Sequence, residues 1–387
     1  RVGLAAVTAL VVLAGAGVGL RQALVGDPAP APDPGLSSTA AATRSPLVTG
    51  DIDGDGLGDL MFTRWRLKKP QQTVTMTSSA ARFSEPRTTK APEGDELLGD
   101  FDGDHRLDVI EATWLSKTSA RRNVRYSLRT RTGDGTPVDE RVTLPRTGKY
   151  VTNVIGDFDG DGLDDIAFAT DRSPGGIEVW VALSTGDGFG APSSWVRDTG
   201  LTDLFHNSLL PGDYDGDGDT DLAVEATFGP KQQKSGLHLI RSDGRGFGQP
   251  GKIRLTPQNG FGTGSAAPAD VDGDGTDELT MLLDADGQQE VRIHRLRTGR
   301  FDAGESWVIT PPGIVYGSFV DTVASDVNGD GLDDLVRLDR WNEEPWVIDV
   351  LISTGTNYEQ PSRRTVFDCA NECNWAQADI IGPFELQ

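Results

Sequence analysis

The chain has 387 residues, a formal net charge of −23, 48 Gly and 22 Pro, with aromatic residues at only 7%. So acidic a chain is repelled by nucleic acid and by anionic lipid, which argues against either as a partner of the folded part. The Gly- and Pro-rich composition suits short strands joined by tight turns and argues against a helical bundle.

Residues 2–20 form an uncharged run between Arg1 and Arg21, rich in Gly and Ala, with a small-residue cleavage pattern at Ala14-Gly15-Ala16. Two readings stand: a secretory signal, or an uncleaved membrane anchor. A buried core helix fits badly, because Gly is unfavourable inside helices. Both readings place the rest of the chain outside the cytoplasm, secreted or at the cell surface. The expected division is 1–21 for this segment, 22–44 for a Pro/Ala-rich extended linker, and 45–387 for the folded part.

The folded part is organised by a repeat. Its first copy reads Asp51-Ile-Asp53-Gly-Asp55-Gly-Leu57-Gly-Asp59, and five more begin at Asp100, Asp157, Asp213, Asp270 and Asp326, at intervals of 49, 57, 56, 57 and 56 residues. A seventh copy, expected near Pro383, has lost its acids, and the array is expected to end there. After each acidic loop come alternating apolar runs, such as Asp165-Ile-Ala-Phe-Ala-Thr170 and Ile177-Glu-Val-Trp-Val-Ala-Leu183. A Gly-Phe turn follows, as in Gly188-Phe189-Gly190, and then a third run, as in Ser194-Trp-Val-Arg197. Period-2 alternation broken by Gly turns predicts four short antiparallel strands per unit. A four-stranded sheet repeated radially is a propeller blade.

The acidic loops predict metal binding. Positions 1 to 9 are counted from the first acid. Position 1 is then Asp51, Asp100, Asp157, Asp213, Asp270 and Asp326, and position 3 is Asp53, Asp102, Asp159, Asp215, Asp272 and Asn328. Position 5 is Asp55, Asp104, Asp161, Asp217, Asp274 and Asp330. The carbonyls of position 7 belong to Leu57, Arg106, Leu163, Asp219, Thr276 and Leu332, and position 9 is Asp59, Asp108, Asp165, Asp221, Glu278 and Asp334. Gly at positions 4 and 6 permits the turn that lets these oxygens converge, and an all-oxygen set suits a hard cation of calcium size. Without a cation, three or four clustered carboxylates repel one another. An EF-hand needs an acid at position 12, but that position holds Phe62, Glu111, Phe168, Val224, Met281 and Arg337, so EF-hands are excluded. His105 replaces Gly at position 6 of the second loop, and the Asp157 and Asp213 loops are expected to bind most tightly.

Loop, Gly-Phe turn and spacing together resemble the FG-GAP/VCBS repeat family, which includes the propeller of integrin α-subunits, over residues 45–387. The resemblance implies an all-β fold: a β-propeller of four-stranded antiparallel blades, with calcium in the hairpin between strands one and two of each blade. Family members usually have seven blades, whereas this chain shows six repeat units plus a C-terminal closing strand near 376–382, leaving six- or seven-bladed closure open. That strand and residues 47–50 compete for the same innermost position.

No catalytic constellation stands out. His105, His206, His238 and His294 fall at unrelated phases of the repeat, and nearly all acids are assigned to the loops. The chain is therefore expected not to be an enzyme but a calcium-loaded module, with about six Ca²⁺ sites, for an extracellular protein or glycan ligand. The alternative is a carbohydrate-active surface enzyme with its site in the propeller channel. Membrane attachment would run through residues 2–20. The ligand-face candidates are Trp65, Trp114, Phe228 and Trp341, which fall 14 or 15 residues after each loop start, near Arg and Lys. Trp180, Trp195, Trp307 and Trp346 read as core. Cys369 and Cys373 form either a small local disulfide or two free thiols.

Overall fold

The computed structural model describes residues 48 and 50–380 apart from 65–69, 80–81, 92–94, 115–123, 132–136, 145–150, 173–175, 202–208, 229–233, 252–253, 256–265, 286–287, 311–319, 340–345 and 368–377. These residues fall in one compact unit, Ser45–Gln387, and contain strands but no helix. None of their segments is a helix long and apolar enough to cross a membrane. The segment 2–20, the linker 22–44 and both cysteines lie outside the described residues.

The strands assemble into six four-stranded antiparallel sheets and one small ribbon. Sheet 1 contains β1 (Leu60–Arg64), β2 (Gln72–Met76) and β3 (Arg87–Lys90). Sheet 2 contains β4 (Asp95–Gly99), β5 (Asp108–Trp114), β6 (Val124–Arg131) and β7 (Pro137–Leu144). Sheet 3 contains β8 (Val151–Gly156), β9 (Asp165–Arg172), β10 (Gly176–Ala182) and β11 (Ser193–Val196). Sheet 4 contains β12 (Leu209–Gly212), β13 (Asp221–Phe228), β14 (Lys234–Ile240) and β15 (Arg254–Leu255). Sheet 5 contains β16 (Ala266–Ala269), β17 (Glu278–Ala285), β18 (Gln288–His294) and β21 (Glu305–Ile309), with β19 (Leu296–Arg297) and β20 (Arg300–Phe301) as the ribbon. Sheet 6 contains β22 (Val320–Ser325), β23 (Asp334–Asp339), β24 (Trp346–Leu351) and β25 (Ser362–Phe367).

Sheet 1 is completed from the far end of the chain. Strand β26 (Ala378–Ile380) pairs with β1 through Phe62↔Ile380 and Arg64↔Ala378, giving the order β26-β1-β2-β3. Among the described residues, the C-terminal strand is the one that pairs with the free edge of β1.

Each sheet is buried on both faces, and the period-2 pattern decides which neighbour a side chain meets. In sheet 3, Ile166, Phe168, Trp180 and Ala182 pack with Leu97 and Ile110 of sheet 2. Their alternates Ala167, Ala169, Val179 and Val181 pack with Leu209, Leu222 and Val224 of sheet 4. Sheet 1 meets two partners in the same way. Leu60, Phe62 and Val74 pack on Val336, Leu338 and Val350 of sheet 6. Met61 packs on Leu98 and Leu107, beside a hydrogen bond from Thr73 Oγ1 to Glu96 of sheet 2.

Neighbouring sheets are also joined backbone to backbone. The N–H at loop position 8 donates to the position 1 carbonyl of the preceding loop: Asp164 to Asp100 (2.7 Å), Thr220 to Asp157 (2.7 Å), Asp277 to Asp213 (2.8 Å) and Asp333 to Asp270 (3.0 Å). Gly58 makes the same bond to Asp326 of the sixth loop at 2.8 Å. A cavity of about 240 Å³ is lined from all six sheets, including Leu60, Leu98, Ile155, Pro211, Pro268 and Val323.

Candidate metal centres

Every acidic loop is wound by its own carboxylates. In the third loop, Asp157 accepts the backbone N–H groups of Asp161 (3.1 Å) and Gly162 (2.8 Å), and Asp161 accepts that of Leu163 (3.0 Å). The winding needs a left-handed residue at position 6, where Gly162 sits at φ +88°. Position 9 is then pinned beneath the loop. Asp165 accepts the N–H of Phe158 at 3.1 Å and of Ser184 at 2.7 Å, and Ser184 Oγ donates onward to the Phe101 carbonyl at 2.7 Å. The first, fourth and sixth loops repeat the serine contact through Ser78, Ser242 and Ser353.

This winding brings acids together. Positions 1, 3 and 9 offer oxygens within 4.8 Å of one another in the first, second, third and fifth loops; in the fourth, Asp213, Asp215 and Asp217 do so. Among the described residues, position 5 joins such a group only in the fourth loop, in place of position 9, and the sixth loop forms none. The carbonyl-contributing residues of position 7 turn their side chains outward over the Gly of the preceding loop: Leu163 over Gly103, Asp219 over Gly160, Leu332 over Gly273, Leu57 over Gly329.

The clusters lack donors that a metal would replace. Asp159 Oδ1, Asp215 Oδ1 and Asp272 Oδ1 at position 3 are buried without a hydrogen-bond partner, as are Asp108 Oδ1, Asp221 Oδ2 and Asp334 Oδ2 at position 9. A buried carboxylate oxygen without a partner is costly, and a hard cation is the group that satisfies several at once. The donor chemistry fits a divalent cation. In its absence, burial raises the position 9 carboxyls far above their usual range: Asp59, Asp108, Glu278 and Asp334 to about 7, and Asp165 and Asp221 to about 8. The neighbouring acids push in the same direction.

The loops differ in three places. His105 occupies position 6 of the second loop at φ 63°, and its N–H still reaches Asp100 Oδ2 at 2.9 Å, so the winding survives the substitution. Asn328 holds position 3 of the sixth loop, where its Oδ1 accepts the Asp330 N–H at 2.9 Å. The third difference escaped the motif. Arg241 pairs with Asp215 of the fourth loop at 2.9 Å, and Arg295 pairs with Asp272 (3.1 Å) and Glu278 (3.3 Å) of the fifth. The Asp157 and Asp213 loops, expected to bind alike, differ in that the Asp213 loop shares its position 3 carboxylate with an arginine. A cation in the turn residue, where the third loop has Leu183, was the available signal.

Among the ligand-face candidates, Trp114 and Phe228 end β5 and β13, the strands that begin at Asp108 and Asp221 of the acidic loops. Trp65 and Trp341 lie outside the described residues. Trp180 and Trp307 are buried, and Trp195 packs against the core of sheets 3 and 4.

The FG-GAP-like repeat family matches the chain twice, at residues 100–168 and 157–224. Residues 100–224 are thus FG-GAP-like repeats. The matched stretch holds the second, third and fourth loops. No curated protein matches the chain in sequence.

Its structural likenesses are distant. A mutant of AofleA from Arthrobotrys oligospora aligns at 9% identity and TM-score 0.44, over 85% of this chain and 91% of that one. The rhamnogalacturonan lyase YesW aligns at 12% and 0.34, over 79% and 67%. A family 43 arabinoxylan arabinofuranohydrolase from Bacillus subtilis aligns at 12% and 0.34, over 73% and 66%. The sequence-based expectation that the chain is not an enzyme is withdrawn, because these likenesses include a lyase and a hydrolase. At these scores they assign no activity to the chain.

Proposed function

We propose that this protein is an exported six-bladed β-propeller, stapled by calcium in its acidic hairpins, that presents a binding face to an extracellular protein or glycan. The observation that carries the proposal is the set of buried, unpartnered carboxylate oxygens at positions 3 and 9. Calcium is favoured among cations because every donor is oxygen and the six loops vary in their ligand sets, which its flexible coordination tolerates. Six-bladed closure is supported by sheet 1, which packs on both sheet 2 and sheet 6 and takes β26 as its first strand. The cavity lined from all six sheets fits the channel of such a ring.

The binding face would be the end of the sheets remote from the metals. Strands β5 and β13 run from acidic loop to Trp114 and Phe228, and Trp65 and Trp341 follow β1 and β23 in the same sense. Arg64, Arg66, Lys68 and Lys69 flank Trp65, and aromatic area beside cations suits sugars and acidic protein patches. The apolar run 2–20 is the reason for assigning export, by signal or anchor. The test replaces Trp65, Trp114 and Trp341 together with Ala and probes a glycan array and a panel of extracellular proteins. Lost binding with intact strand signal supports the face. Intact binding, or collapse of the fold, removes it.

A further inference from the structure

The fifth loop carries a cation of its own. Arg295 follows His294, whose cross-strand partner is Leu279, so it occupies the same register position as Arg241 after Ile240↔Leu222. In sheets 1, 3 and 6 that position holds Thr77, Leu183 and Ile352, all uncharged. Arg295 reaches Asp272 Oδ2 at 3.1 Å and Glu278 Oε1 at 3.3 Å, tying positions 3 and 9 together. These are two of the three fifth-loop acids that converge. Its guanidinium lies 5.5 Å from the centre of the Trp307 ring, and its side chain is 18% exposed.

Two neighbouring substitutions match this arrangement. Position 9 is the longer Glu278 instead of Asp, and the turn serine that bonds position 9 in four other loops is replaced by Leu296. In those four loops the donor is the serine's backbone N–H, whereas Glu278 meets the Arg295 guanidinium in a charge-assisted contact. An ordinary surface ion pair would be screened and weak. This one is stacked on Trp307 and reaches a Glu278 side chain only 4% exposed, so screening is reduced.

We propose that Arg295 is a built-in counter-cation that holds the fifth loop closed without metal and sets its calcium affinity below that of the third loop. The inference rests on the calcium reading of the loops. A guanidinium already bound to both acids opposes an incoming divalent ion by like-charge repulsion and by occupying one oxygen of each. Asp272 Oδ1 stays without a partner, so the loop retains a donor for metal. Arg241 is the graded version: it makes one contact, to Asp215, and its side chain is 52% exposed.

The test is a calcium titration of the metal-stripped chain, read by calorimetry, with melting in EDTA as a second readout. The wild type is expected to show weak sites alongside tight ones. R295M is expected to convert one weak site into a tight one, with an affinity gain of about tenfold for removing a like charge at this range. Its melting temperature in EDTA should fall below that of the wild type, since Glu278 and Asp272 lose their partner. R241L, at an exposed position where sheet 3 carries Leu183, should give the same shift at a smaller size. Failure of R295M to fold without calcium but recovery with it also supports the inference. If R295M does not fold in either condition, R241L decides. Unchanged affinities on a wild-type background that binds calcium overturn this inference alone. A wild type that binds none overturns the calcium reading, and this inference with it.

Discussion

The third and fifth loops share a backbone and differ in how their charge is balanced. Both wind around a position 1 aspartate, and both bring positions 1, 3 and 9 within 4.8 Å. Both leave one position 3 oxygen without a donor, but the third has Leu183 at the turn, whereas in the fifth Arg295 spans Asp272 and Glu278. One side chain at one register position thus separates a loop whose acids wait for a cation from one that already has a partner. Acid count alone would rank these loops as equals.

The broadest way to break this comparison is to remove all metal. Extracellular calcium sites have Kd on the order of 10⁻⁴ to 10⁻³ M, so at about 1 mM calcium a site at the tight end contributes about 1.4 kcal/mol. Several such sites together approach the roughly 5–15 kcal/mol that stabilises a whole domain. Excess EDTA is therefore expected to lower the melting temperature by many degrees. An unchanged transition would remove calcium from the account of both loops.

A narrower test removes one charge from each loop. Asp159→Asn keeps the shape of position 3 and deletes its charge, so the third loop should lose most of its metal contribution, about 1 kcal/mol at millimolar calcium. Asp272→Asn should cost less than half as much, because Arg295 remains paired with Glu278. Calorimetry should show one tight site lost in the first variant and none in the second. Equal losses would mean that Arg295 does not distinguish the loops.

Much of this was legible in the sequence, and its limits have physical causes. Spacing and Gly placement located all six loops and the strands that follow them, because a loop that winds on its own carboxylates needs only local residues. Strand β9 was legible for the same reason: Ile166 and Phe168 alternate with Ala167 and Ala169, although both sets are buried, against different neighbours. The sequence offered the C-terminal strand near 376–382 as one of two candidates for sheet 1 but did not choose between them, since pairing of β26 with β1 joins residues more than 300 positions apart. Arg295 was missed because it acts across the hairpin, 23 residues from Asp272, and a motif read along the chain does not contain it. Position 9 was expected to converge, and does so in four loops; that position 5 stands apart in those loops was not legible from the spacing.

Acidity sharpens the comparison between metal-free and loaded states. Folding raises Asp165 to about 8 and Glu278 to about 7 from ordinary values near 3.8 and 4.5. The metal-free fold therefore binds more protons than the unfolded chain between about pH 4 and 8, and its stability falls as pH rises through that window. In EDTA, lowering the pH from 8 to 5 should raise the melting temperature, with protons taking over part of the cation's role. In saturating calcium the same change should lower it, because protons compete for the ligands. Melting curves that move in the same direction in both buffers would contradict the burial of unsatisfied carboxylates.

The smallest effect is expected at His105, and its smallness is informative. A left-handed conformation costs a residue with a side chain about 1–2 kcal/mol, and histidine is among the residues that tolerate it better. His105→Gly relieves that strain but increases the freedom of the unfolded chain, which costs about 0.5–1 kcal/mol in return. The two nearly cancel. The loop itself already keeps the Asp100–His105 backbone bond at 2.9 Å and the convergence of Asp100, Asp102 and Asp108. Stability should thus change by less than about 0.5 kcal/mol, and the calcium affinity of the second loop should stay within about twofold. A large gain in affinity would show that backbone strain at position 6 ranks these loops, in place of the charge at the turn that separates the third from the fifth.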